Sequence, residues 1–279
     1  MEADALILVT GGTGGLGRRV VRRLHEAGRR LRVLSRRAHA SEEGVEYVVG
    51  DLAKDEGVEA AVEGAEAIVH CAGTRRMSED VAQACHLVRA ARRAGVTHLV
   101  NISVVGADRI PVVSAVDQAM FSYFASQLAV EHTVAESGLP WTNLRATQFH
   151  DGFILFMVQA MSKLPVIPVP AGFRFQPVDA GEVADRLVEL ALGRPAGQVP
   201  DIAGPAIYQA ADLLRQYLRA AGKRRLIVPV RLPGAAARAI RAGANLAPDR
   251  AVGRRTWEEF LAEWQRHHAL PSGPQVAQG

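Results

Sequence analysis

The run Thr10-Gly11-Gly12-Thr13-Gly14-Gly15-Leu16-Gly17 follows five apolar residues, Ala5-Leu6-Ile7-Leu8-Val9, and precedes a segment with helical periodicity. A strand that turns through glycines into a helix is the setting in which Gly11, Gly14 and Gly17 read as a dinucleotide fingerprint. Gly11 permits the tight turn, Gly14 lets backbone approach a pyrophosphate, and Gly17 lets the helix pack closely on the sheet. Backbone N–H groups of Thr13, Gly15 and Leu16, with the positive end of the helix dipole, complete a cradle for phosphate.

The rest of the first half agrees with that start. Short β-branched runs at 6–10, 31–35, 45–49, 67–70, 98–102 and 141–145 alternate with helical patterns at 16–27, 55–62, 80–94 and 116–137. Gly28, Gly95 and Gly138 each stand just past a helical pattern, where a left-handed C-terminal residue is wanted. The fold class predicted is α/β, a Rossmann doubly wound parallel sheet with helices on both faces and a small C-terminal substrate lobe. Domain limits are expected at 1–150 for the dinucleotide-binding part and 151–270 for the lobe, with late elements packing back on the core and a flexible tail at 271–279. Prolines 165, 168, 170 and 177 break the chain after Phe149, and helices resume at 181–192, 209–221, 235–244 and 256–267. The last carries Trp257, Phe260, Leu261 and Trp264 at helical spacing, a face for docking on the core.

In a doubly wound sheet the ligand crevice lies outside the carboxyl ends of the strands, so the residues at those ends are the candidates. After the second strand the chain reads Ser35-Arg36-Arg37 with no acid. A carboxylate there would bind the free ribose hydroxyl of NAD, whereas arginine accommodates the 2′-phosphate of NADP, so the expected cofactor is NADP(H). The alternative is that both arginines face solvent. Asp51 and Leu52 follow the third strand; Asp51 either accepts from the adenine amino group or caps the next helix. Cys71, Ala72 and Gly73 follow the fourth and are small enough for ribose or pyrophosphate to rest on backbone.

Composition narrows the function classes. The chain has 279 residues, 48% hydrophobic and 22% charged, in the ordinary range of a globular protein, and its apolar segments are too short to cross a bilayer. No membrane partner is expected, and the two cysteines, too few for a disulfide framework, point to the cytoplasm. A formal charge of +4 with only 5% aromatics does not suggest nucleic-acid binding. The nine histidines are scattered, neither cysteine has a partner at ligand spacing, and no metal site is expected. A small-molecule substrate and a monomer or homodimer are the expected partners.

Taken together, TGGTGGLG, LSRR, GDL, HCAG and LPWTNLRATQFHD resemble the short-chain dehydrogenase/reductase superfamily, and within it the atypical NmrA-like group of NAD(P)H-binding proteins, over roughly residues 5–192. The resemblance implies a serine at the end of the fifth strand, matched by Ser103, and a tyrosine and lysine four residues apart on the following helix. Here that helix reads Tyr123-Phe124-Ala125-Ser126-Gln127, so tyrosine is kept and glutamine replaces lysine. Gln127 retains a hydrogen bond for the nicotinamide ribose but lacks the positive charge that would depress the tyrosine pKa. The resemblance places Ala146 and Phe149 beside the nicotinamide. Three readings stay double: Tyr123 as acid or packing residue, Ser103 as carbonyl ligand or turn cap, and His150 as a substitute proton relay or a structural hydrogen-bonder. Phe173, Arg174 and Phe175 are candidate pocket residues. The expected activity is NADP(H)-dependent oxidoreduction of a small or medium-sized apolar carbonyl or conjugated compound. The alternatives are a catalytically silent redox sensor and a non-redox isomerase or cyclase on the same scaffold.

Overall fold

A computed structural model describes residues 5–40, 43–73 and 77–268; the expected tail at 271–279 lies outside them. The first strand, β1 (Leu6–Thr10), is buried from Ile7 to Thr10, as a central parallel strand covered on both faces must be. Helix α1 (Gly15–Glu26) turns Gly17, Val20 and Leu24 inward, while Arg18, Arg22 and Glu26 face solvent. Then come β2 (Arg30–Ser35), β3 (Val45–Val49), α2 (Val58–Val62), β4 (Ala65–His70), α3 (Met77–Ala94), β5 (His98–Val104), α4 (Ala115–Ala135) and β6 (Trp141–Ala146). Gly28, Gly95 and Gly138 close α1, α3 and α4 with φ of 69°, 72° and 75°.

One boundary moves for a backbone reason. The helix expected from residue 55 starts at Val58, because Asp55 and Gly57 are left-handed, at φ of 61° and 67°.

After β6 a π-turn (His150–Ile154) leads through α5 (Leu155–Met161), β7 (Val166–Pro170) and β8 (Arg174–Phe175) into α6 (Ala180–Leu192) and β9 (Gly197–Gln198). β10 (Tyr208–Gln209), α7 (Ala210–Ala220), β11 (Leu226–Val230), α8 (Ala235–Ala242) and α9 (Trp257–His268) complete the chain. The main sheet is parallel in the order β3-β2-β1-β4-β5-β6-β9, a Rossmann-like doubly wound arrangement. Two small sheets, β8 with β10 and β7 with β11, stand apart from it.

The chain does not leave the sheet for good at residue 150. Val183, Ala184, Leu187 and Leu190 of α6 share one core with Val20 and Leu24 of α1 and with Ile7 and Val9 of β1, and β9 adds the seventh strand. A second core joins Ile167 and Val169 of β7, Leu213, Leu214 and Tyr217 of α7, Ile240 of α8, and Trp257, Phe260 and Leu261 of α9. The aromatic stripe of α9 is therefore packing: Trp257 and Phe260 stack at 5.3 Å between centroids. Phe173 and Phe175 also belong to this core, Phe173 against Phe121 and Phe175 against Phe153, which removes them from the expected pocket lining.

Candidate active site

Parallel strands point their carboxyl ends the same way, so the loops after β1 to β6 share one edge, and the sequence candidates come together there. The loop after β1 is built around missing side chains. A methyl group on Gly17 would lie 2.1 Å from the Gly11 carbonyl oxygen, and one on Gly11 would lie 2.6 Å from the Ala72 nitrogen. The backbone of Gly11 thus lies directly against that of Cys71 and Ala72 after β4, with no room for a side chain between them. Gly14 caps α1 with extended backbone and no side-chain hydrogen bond, and the first turn holds no acid. Because the first intrahelical donor is Arg18 N, to Gly14 O, the N–H groups of Gly15, Leu16 and Gly17 have no intrahelical acceptor. Thr13, Gly14 and Gly15 are exposed beside them, and the set suits a pyrophosphate in charge and in space.

Around the cradle, Ser35 is buried and its Oγ accepts from Arg37 N at 3.2 Å. Arg36 and Arg37 are exposed, and among the described residues no carboxylate pairs with either. Asp51 folds its carboxylate onto its own loop, accepting from Ala53 N at 2.9 Å, while Leu52 is buried. That bond closes a local turn and is not the helix cap weighed against an adenine contact, because the next helix starts at Val58 with Gly57 as its cap; the second carboxylate oxygen is not used by it. Ala72 is half-buried and Gly73 exposed. Burial pushes the Cys71 thiol up to about 12, so it contributes shape and no thiolate.

Two features of this edge were not anticipated. His70 Nδ1 lies 2.7 Å from Thr10 Oγ1, tying the ends of β4 and β1 together beneath the glycines, and burial lowers its pKa to about 4. Arg19 bonds Gly15 O at 2.6 Å and pairs with Asp151 at 2.6 Å, linking the phosphate loop to the segment after β6. Only the tertiary register shows these partners, 60 and 132 residues apart.

At the β5 and β6 end, Ser103 is buried and its Oγ has no hydrogen-bond partner among the described residues; Thr147 Oγ1, just past Ala146, is likewise unsatisfied. Both hydroxyls are buried at the carboxyl edge of the sheet, where an unpaired polar group is unusual and marks a place for a hydrogen-bond partner. Tyr123 remains 40% exposed, whereas Gln127 is buried. Val116, Met120, Tyr123 and Gln127 repeat at intervals of four, three and four, which puts them on one face of α4. Val116 and Met120 are exposed, so the face that carries the tyrosine continues as an apolar wall. The spacing was legible in the sequence; its exposure was not.

Although the residue as a whole is 40% exposed, its hydroxyl end is the desolvated part, and that desolvation, followed by the negative charge of Asp80 on α3, pushes the Tyr123 phenol up to about 12. His150 sits differently. It is buried, stacked on Phe260 at 5.4 Å and tilted against Trp257 at 6.0 Å, neither ring nitrogen has a hydrogen-bond partner among the described residues, and burial lowers its pKa to about 4. A proton relay needs a path to the reacting group and a pKa near the working pH, and this imidazole has neither. Its chemistry is that of a packed ring. Ala146 is buried in the main core and Phe149 packs against it, both at the exit of β6. Among the described residues no cluster of acids, histidines or cysteines has the arrangement to hold a metal ion.

A family model described as NAD(P)H-binding matches residues 11–163, which spans the glycine loop, the ends of β2 to β6 and the whole of α4. The chain belongs to the NAD(P)H-binding family. It is 28% identical over 225 residues to the NAD(P)H azoreductase of Xenophilus azovorans, covering 78% of this chain and 74% of that protein. Identity is also 28%, over 222 residues, with the (4-alkanoyl-5-oxo-2,5-dihydrofuran-3-yl)methyl phosphate reductase of Streptomyces griseus, at 78% and 74% coverage. Among solved structures, the NADPH-dependent quinone oxidoreductase QOR2 of Escherichia coli, complexed with NADPH, superposes with a TM-score of 0.74 at 18% identity. That superposition covers 92% of this chain and 99% of the other. The glycine cradle, with no room for a Cβ at Gly11 or Gly17, lies inside the region matched by the NAD(P)H-binding model.

Proposed function

We propose that this chain is an NADP(H)-dependent oxidoreductase of the NmrA-like type that reduces apolar, conjugated carbonyl compounds. One observation carries the reading. Tyr123 stands on an exposed helix face beside Val116 and Met120 as a neutral phenol, with Gln127 one turn on and Asp80 as its charged neighbour.

When bound, the nicotinamide supplies the hydride. The residues of the chain bind, orient and polarise. N–H groups of the glycine loop hold the pyrophosphate, and Arg36, with Ser35 beside it, offers a planar fork to the 2′-phosphate. Ser103 Oγ and the Tyr123 hydroxyl donate hydrogen bonds to the oxygen on which negative charge develops. A phenol at about 12 with no cation beside it is a poor acid at neutral pH, so its part is that of a donor. An acceptor that spreads charge through a conjugated system asks no more, because its reduced form waits for a proton from water. The activities in the names of the relatives and of the structural neighbour, on azo compounds, a dihydrofuranone and quinones, support an acceptor of this kind.

The test is steady-state oxidation of NADPH and NADH with quinones, enones and saturated ketones. Conjugated acceptors should be turned over at least about a hundredfold faster than saturated ketones, and Arg36→Ala should raise the KM for NADPH on the order of tenfold while leaving that for NADH nearly unchanged. A preference for NADH in the parent would remove the phosphate fork. Gln127 in place of a cation also favours a second reading, a redox sensor without turnover. Stabilisation by NADPH with no acceptor reduced would decide for it.

A further inference from the structure

We propose that the paired strands β7 and β11 form a docking surface for an anionic lipid bilayer. No helix among the described residues is long and apolar enough to cross a membrane. Lying on a membrane asks for something else: an exposed apolar surface ringed by basic residues.

The two strands pair in parallel with Val166 opposite Leu226, Pro168 opposite Val228 and Pro170 opposite Val230. Side chains alternate along a strand, so Ile167 and Val169 go into the lobe core, and the opposite face presents Val166, Leu226, Val228 and Val230. These are not grazing exposures: Val166 is 48% and Leu226 63% accessible, and Leu164 beside them is also open. A contiguous apolar face of this kind marks an interaction site.

Charge identifies the occupant. Lys163, Arg224 and Arg225 line one groove with Leu226, and Arg231 follows β11 directly. Among the described residues none of these four is in an ion pair. Residues 213–248 hold eight basic and no acidic side chains, so with +4 for the whole chain everything else sums to −4. Within that stretch Arg224, Arg225 and Arg231 flank the two ends of β11, while Arg215 is paired with Asp212. A second copy would meet it with the same sign, and Pro229, lacking an N–H, blunts the outer edge of β11 against strand addition. Nucleic acid would use the charges and leave the apolar ribbon uncovered. Anionic headgroups over acyl chains satisfy both.

The experiment is flotation of the full chain with vesicles of phosphatidylcholine alone, or of equimolar phosphatidylcholine and phosphatidylglycerol, at moderate salt. Flotation with the anionic vesicles only is expected. Replacing Lys163, Arg224 and Arg225 together by Gln should lower partition by roughly two orders of magnitude, at about fivefold per charge. Leu226→Ser with Val228→Thr should lower it roughly tenfold. Leu226→Thr alone serves if the double variant loses its parental melting curve. No flotation, equal flotation with neutral vesicles, or indifference to the apolar variants would each overturn the proposal. So would duplex DNA binding, or a dimer broken by Leu226→Ser, without vesicle binding. None of these outcomes depends on turnover, so the docking surface and the reductase reading stand or fall separately.

Discussion

At Tyr123 the electrostatics run opposite to those of a tyrosine paired with a lysine. Desolvation disfavours the phenolate, the Asp80 carboxylate disfavours it further, and Gln127 supplies no opposing charge. A hydroxyl that must stay protonated to donate its hydrogen bond therefore does so well beyond the range in which an ordinary tyrosine ionises. The sign of the pH effect follows: kcat/KM for a conjugated acceptor should have no descending limb through pH 10. Gln127→Lys puts a cation one helical turn away and favours the phenolate, so the variant should lose activity on the alkaline side from roughly one to two pH units lower. A profile of kcat/KM against pH for the two proteins checks this, with Tyr123→Phe as the reference that lacks the titrating group. Unchanged alkaline limbs would separate Tyr123 from the reacting oxygen. The residues of the glycine loop were legible in the sequence because their role is backbone geometry, which a missing side chain declares directly. His150 was not legible, since a histidine at a strand exit reads the same whether the chain later brings a carboxylate or, as here, Trp257 and Phe260 against it.

Helix α4 connects the site to the lobe through its first turn. Ser114 caps it, donating to Asp117 Oδ2 at 2.8 Å and accepting from Asp117 N at 3.1 Å. The other carboxylate oxygen of Asp117 accepts from Ala236 N at 3.1 Å in the first turn of α8, so one buried side chain serves the starts of two helices. The Ser114 hydroxyl, together with the N–H groups of Ala236, Val113 and Ser114, holds the Asp117 carboxyl below its ordinary pKa. Asp117→Ala leaves the Ala236 N–H buried without that acceptor and frees the end of α4 that carries Val116 and Met120. The expected result is a melting temperature lower by a few degrees and a higher KM for the acceptor, with cofactor affinity unchanged because the glycine loop is built from other elements. Calorimetry and cofactor titration on the same sample test it, and an equal loss of NADPH affinity would contradict it. At this scale the sequence was informative wherever an element carries its own period and its own stop, as α1, α3 and α4 do with Gly28, Gly95 and Gly138. It was silent on β9, whose two residues have no period and join the sheet only because Thr142 and Asn143 lie alongside.

Across the whole molecule, folding buries imidazoles that are charged more easily in the unfolded chain. His70 and His150 are each lowered by burial to about 4, and His98, facing Thr142 Oγ1 at 2.8 Å, is lowered for the same reason. Below the unfolded value of about 6.5 the unfolded chain takes up protons that the folded chain refuses, so stability falls with pH until the folded imidazoles also titrate near 4. For His70 and His150 the loss between pH 7 and pH 5 is on the order of 2 kcal/mol each. These groups belong to different parts of the architecture, one under the glycine loop and one in the aromatic contact with α9, so the acid sensitivity is a property of the assembled fold. His150→Phe distinguishes it from general acid unfolding. Phenylalanine keeps the ring against Phe260 and Trp257 and removes the proton-binding site, so the variant should be as stable as the parent at pH 7, more stable at pH 5, and unchanged in turnover. Urea denaturation of both proteins at the two pH values measures the difference. Parallel losses in parent and variant would mean that His150 is protonated as readily in the folded chain as in the unfolded one, and would reopen its claim to move protons.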